Sequence, residues 1–247
     1  MKPIFTTCLG RVLVCDRGNQ RLHAISFQTG RTNIIKFSSE PTGVQVLQNE
    51  KMLVSFNDGT IRQIDGTGKE IIRCNPFENA PFRTKRMTDN KTDNKSFKFT
   101  VDEQDIVYVS NRIASQIKKF HCNENYLQTL HLKMDNSLCC VPTAICSGQL
   151  ETLIVADGIN HMVCSFRRSD GFLDGMLLKP SDDVGAIQSV ALTPEGHIAD
   201  TEFSANGPHC IKIFRYLHCA YHNAPSEEST FADVRQVDSR ETESIDQ

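Results

Sequence analysis

Two stretches decide the fold: VLVCDRGNQRLHAISF at 12–27 and LIVADGINHMVCSF at 153–166. Each is an alternating apolar run, a polar turn and a second alternating run that closes on Phe, which is the pattern of a β-hairpin with a buried face. The pattern recurs as MLVSFNDGTIRQID at 52–65, IVYVSNRIASQIKKF at 106–120 and, degraded, HIADTEFSANGPHCIKIF at 197–214. The equivalent residues Val14, Val54, Val109 and Val155 stand 40, 55 and 46 residues apart. The Ala-Asp dipeptide of the fifth unit aligns Asp200 with Asp157, a step of 43, and on that alignment the preceding strand is two residues short.

Between the hairpins a second piece recurs, at 41–47 (PTGVQVL), 96–102 (SFKFTVD), 141–147 (VPTAICS) and 186–196 (AIQSVALTPEG). It is the inner strand of each unit, and segments such as 31–37 and 126–132 supply an outer one. Four strands every 40 to 50 residues, with almost no helical periodicity, predict the blade of an all-β propeller. A lone antiparallel blade cannot bury both faces, so blades must stack. The inner strands are therefore expected to be buried on both sides, at Val44, Val46, Ala144, Ile145, Val190 and Ala191. The propeller is expected over 1–224. Residues 225–247 carry seven acidic and two basic side chains with few apolar ones, the composition of a disordered acidic tail.

Units one and four resemble NHL repeats, in which Val-Ala-Asp is followed by Asn, by His or Arg, and by an apolar strand ending in Phe. Asp16, Asn19 and Arg21 match in the first unit, and Asp157, Asn160 and His161 in the fourth. Units two and three have Phe56 and Asn111 where the Asp would stand. The similarity spans residues 3–216, with five recognisable units against a family norm of six blades. Such arrays form the C-terminal region of tripartite-motif (TRIM-NHL) proteins. The resemblance implies a non-catalytic protein-recognition platform, similar to the substrate-binding part of a TRIM-NHL ubiquitin ligase. Its alternative is an RNA-binding propeller in post-transcriptional repression. No cysteine pair has the spacing of a RING or B-box, so ligase activity does not follow for this chain, and a fragment or truncated product is expected. Five units leave open blade edges that invite association.

Composition narrows the function further. The chain has 247 residues, 39% hydrophobic and 23% charged, with net charge −3, and no run long enough for a membrane helix. No signal peptide is evident, and the ten cysteines include no C-x-x-C pair; several sit in strand-like runs, Cys15 and Cys164 among them, as small buried thiols. A cytoplasmic location without disulfides is expected. No metal or cofactor is expected, because the His and Cys at 209–222 lack zinc spacing and Cys210 lies in a strand. The chain is not expected to be an enzyme: catalytic motifs are absent, and the inner strands carry Val, Ile, Ala and Thr rather than the ligands of propeller lactonases and lyases. A propeller hydrolase, lactonase or lyase therefore stands as the last alternative, behind protein and RNA recognition.

The candidate binding residues lie at one end of the blades. Residues 75–98 form the longest connection and carry a net charge of +3. Phe82, Arg83, Lys85, Arg86, Lys91 and Lys95 within it combine charge with a stacking ring, suited to single-stranded or hairpin RNA or to a protein hot spot. Arg17, Arg21 and Arg112 lie in or beside strand-two to strand-three turns that open at the same end. Because residues 1–224 total only +2, a protein partner is favoured over RNA. Asp16 with Asn19, and Asp157 with Asn160, are expected to fix their own turns, and Asp-Gly at 58–59, 65–66 and 170–171 to mark hairpins.

Overall fold

The structure, a computed structural model, describes residues 4–8, 10–77, 97–123, 125–134, 140–193, 195–202, 210–215 and 235–237. The chain is an all-β, five-bladed propeller. Each blade is a four-stranded antiparallel sheet in simple order. The strands are β1 (Ile4–Cys8), β2 (Arg11–Asp16), β3 (Arg21–Ser26) and β4 (Thr32–Lys36) in the first blade. The second has β5 (Pro41–Val46), β6 (Met52–Phe56), β7 (Ile61–Ile64) and β8 (Glu70–Cys74), and the third β9 (Phe99–Val101), β10 (Ile106–Asn111), β11 (Gln116–His121) and β12 (Tyr126–His131). The fourth has β13 (Pro142–Ser147), β14 (Thr152–Asp157), β15 (Met162–Arg167) and β16 (Leu173–Leu178), and the fifth β17 (Ile187–Leu192), β18 (Ile198–Glu202), β19 (Cys210–Phe214) and β20 (Arg235–Val237). Two compact units result: Met1–Asn111 with Ile117–Thr129, and Arg112–Gln116 with Leu130–Gln247.

Alternation on the second strands builds the cores. In β6, Met52, Val54 and Phe56 pack with Leu13, Cys15, Leu22 and Ile35 of the first blade. Leu53, between them in sequence, packs the other way with Phe97, Phe99, Val107 and Phe120 of the third. A second strand has neighbours in its own sheet on both edges and, in such a blade, packing on both faces, so β6 and all but the first residue of β14 are buried. The inner strands are less covered than the sequence led us to expect. Val44, Ala144, Ile145 and Val190 are buried, but Val46 is only half-buried and Ala191 is exposed. An inner strand is an edge strand, and one side of it stays open.

The first inner strand, β1, and the last outer strand, β20, have no counterpart in the hairpin pattern. The acidic tail from 225 lies outside the described residues except for Arg235–Val237, which pair with Ile211–Ile213. The fifth unit also corrects its alignment. Pro142 opens β13 opposite Asp157, and Ile187 opens β17 opposite Glu202. Glu202 is thus the counterpart of Asp157, and no residues are missing. Asp200, between Val190 and Lys212, takes the place that Val155 holds between Ile145 and Cys164.

Candidate functional site

The end of each blade where the second strand turns into the third also receives the link from the preceding blade. Strand-two carboxylates organise it. Asp157 is fully buried and accepts four hydrogen bonds: from Val141 N–H of the incoming link at 2.8 Å, from Ile159 and Asn160 N–H, and from the Asn160 amide at 2.8 Å. Asp16 holds Asn19 in the same way, and the Asn19 amide at 2.7 Å keeps the Asp16 carboxyl below the usual carboxylate range. These Asp–Asn pairs fix their turns, as the sequence indicated. Asp58, Asp65 and Asp170 accept from backbone N–H groups of their own hairpins as well.

A base on the third strand is the partner the sequence reading missed. Arg62, 5% exposed, donates to Ser39 Oγ of the incoming link at 3.2 Å and to Thr60 Oγ1 at 3.1 Å, pairs with Asp58, and lies 4.0 Å over the Phe56 ring. Lys118 donates to Pro76 O at 2.8 Å, and burial pulls its ammonium below the usual range. Lys212 donates to Asp183 O and sits 3.1 Å from both Asp183 Oδ2 and Glu202 Oε2. In three blades, then, the base directly after an Ile holds the incoming link. The recurring dipeptides Ile61-Arg62, Ile117-Lys118 and Ile211-Lys212 were the available signal. The first and fourth blades have His23 and Cys164 at this position.

The fifth blade concentrates these groups. Glu202 accepts Gly185 N–H at 2.6 Å and the Cys210 thiol at 3.6 Å. A Cβ on Gly185 would meet Glu202 Oε2 at 2.6 Å, so a side chain there would push the Glu202 carboxylate aside. Burial pulls the Lys212 ammonium down, but its hydrogen bonds to Asp183 and Glu202 outweigh that and leave it above its ordinary value. Asp200 is fully buried and neither carboxylate oxygen has a hydrogen-bond partner. Burial, then the charge of Glu202, push its carboxyl up to about 7 against the opposing pull of Lys212. Among the described residues no cluster of three or more His, Cys, Asp or Glu is arranged to hold a metal.

Of the sequence-predicted binding residues, Arg17 is exposed in the β2–β3 turn, 3.4 Å from Glu40 of the next link. Arg21 is half-buried at the start of β3, opposite Asp16 and Lys36. Arg112 is exposed in the β10–β11 turn. Phe82, Arg83, Lys85, Arg86, Lys91 and Lys95 lie outside the described residues, as do His209, His218, Cys219 and His222. The ends of the long connection are described. Phe77 and Phe97 meet edge to face at 5.5 Å, Lys118 holds Pro76, and Lys98 exchanges backbone and side-chain hydrogen bonds with Ser110. The two described ends of the connection are thus pinned to the third blade.

No family model matches the chain, and no curated protein matches it in sequence. Solved structures do match in fold. The virginiamycin B lyase of Staphylococcus aureus, a catalytically inactive variant with quinupristin, aligns at TM-score 0.60 and 14% identity over 87% of this chain and 67% of its own. A streptogramin B lyase aligns at 0.62 and 12%, over 96% and 68%. Regucalcin of Agrobacterium tumefaciens, described as calcium-binding, aligns at 0.52 and 15%, over 86% and 69%. Likeness at this identity shows the propeller fold alone. The expectation that the chain is not an enzyme is withdrawn, because it rested on missing motifs and apolar inner strands, and solved structures that share the fold include lyases. Catalysis in this chain is not thereby established. A propeller gathers polar groups from separate strand ends, so contiguous motifs are a poor guide, and β17 exposes Gln188 and Ser189.

Among the described residues no helix is long and apolar enough to cross a membrane. The seven described cysteines whose state is resolved are free, and burial pushes the thiols of Cys15, Cys146 and Cys164 up to about 12.

Proposed function

We propose that the chain is a protein-recognition platform, similar to the substrate-binding part of a TRIM-NHL ligase, that binds through the end of the blades receiving the links. The observation that carries this reading is the pairing of charge at that end. Arg17 faces Glu40, Arg62 faces Asp58, and Lys212 faces Glu202 and Asp183. Basic groups already neutralised by carboxylates offer little to phosphates, whose binding draws on Lys and Arg charge. The connection between Phe77 and Phe97 supplies in its sequence Phe82, Arg83, Lys85, Arg86, Lys91 and Lys95, an aromatic and basic set of the kind that anchors protein interfaces. Free thiols support a cytoplasmic location.

The test replaces Arg83, Lys85 and Arg86 together by Ala and compares capture of partners with and without ribonuclease. A protein retained by the wild type, insensitive to ribonuclease and lost with the triple replacement supports the reading. Retention that ribonuclease abolishes supports RNA instead, and retention that the replacements leave unchanged places the site elsewhere.

A further inference from the structure

We propose that the outer edge of the fifth blade is a strand-acceptor site: β19 takes up an extended segment of a partner protein, and Arg235–Val237 of this chain is its short, displaceable occupant. The proposal rests on the protein-binding reading above and names a mode of binding for it. In the first four blades the outer strand follows after residues 27–31, 65–69, 122–125 and 168–172, four or five residues each, and is itself five or six residues long. In the fifth blade, residues 215–234 intervene and β20 has three residues. Its pairing covers Ile211, Lys212 and Ile213 and omits Cys210 and Phe214 at the two ends of β19.

Strand pairing this short is marginal, and closing it through a long connection costs loop entropy. Tethering offsets this by holding the tail at an effective concentration on the order of millimolar. A five- or six-residue segment supplied in trans adds register pairs at both ends of β19 and so competes with the tail, the strand-addition mode of peptide recognition. The other outer strands indicate its chemistry. Ile35, Leu130 and Leu178 are their buried residues, in segments without proline. The fitting partner is therefore an extended segment with Ile or Leu facing the blade and polar residues between.

The experiment uses the full chain and its Gln236→Pro variant, which removes a backbone N–H from β20 and leaves β19 unchanged. The probe is a labelled peptide with the sequence of residues 31–37, RTNIIKF. In Gln236→Pro the amides of Ile211–Ile213 should exchange about tenfold faster, and the peptide should bind about tenfold tighter than to the wild type and slow that exchange again. The same peptide carrying I35P should not bind. No saturable binding to Gln236→Pro, or binding that leaves those amides unprotected, overturns the proposal. The triple replacement at Arg83, Lys85 and Arg86 should bind the peptide normally. If the peptide fails while that replacement still abolishes partner capture, the edge proposal alone falls. If the peptide binds and protects β19 while capture is unaffected, the link-end reading alone falls.

Discussion

Blades four and five share one strand plan, and one rung of the ladder is apolar in the first and charged in the second. In blade four Val155 faces Cys164; in blade five Asp200 faces Lys212. The consequence appears at the link. Blade four anchors its incoming link through Asp157 on Val141, with Asn160 completing the turn. Blade five anchors its own twice, through Glu202 on Gly185 and Lys212 on Asp183. The second anchor buries a base, and the base sits beside a carboxylate with no hydrogen bond of its own. Much of the charge at this end of the blades is thus structural. The paired groups hold the incoming links in place.

The comparison breaks most visibly at Lys212. Lys212→Met keeps the length of the side chain and leaves Glu202, 10% exposed, next to Asp200 with no base between them. Removing one partner of a buried ion pair costs about 3–5 kcal/mol, which urea unfolding at pH 7 should register. A loss near zero would mean that Lys212 is not the counter-charge of the cluster.

Asp200→Val, which restores the residue of blade four, should act in the opposite direction. The folded-state pKa of Asp200 is raised to about 7 from 3.8. Across that window the native chain keeps a proton that the unfolded chain releases, so wild-type stability falls as pH rises from about 4 to 7 and levels off above. The Val variant lacks this slope and should be about 4 kcal/mol more stable at pH 8, with little difference at pH 3.5. An unchanged slope in unfolding measured over that range would contradict the assignment.

Much of the fold was legible because period-2 alternation survives in every hairpin, and Val14, Val54, Val109 and Val155 mark the same rung. β1 and β20 were not, since one is a short strand before the first hairpin and the other lies beyond residues 215–234. The fifth unit misled because Ala199-Asp200 imitates the Ala-Asp of blade four. Alternation from Ile198 through Asp200 to Glu202 keeps all three on one face and would have set the register two residues later. The turn-fixing roles of Asp16 and Asp157 were readable from local spacing. The pairing of Arg62, Lys118 and Lys212 with the links was not, because each partner comes from a different part of the chain. Only the recurring Ile-base dipeptide hinted at it.

What is said of the fifth blade depends on Asp200, and not Glu202, occupying the place of Val155 beside Lys212. The most direct measurement is the titration of the Asp200 side-chain carboxyl carbon by NMR in the full chain. A midpoint near 7 is expected, where burial and the Glu202 charge outweigh Lys212. A midpoint near the ordinary value of 3.8 would put Asp200 in water, and the reading of this blade as a buried charged clamp would be wrong.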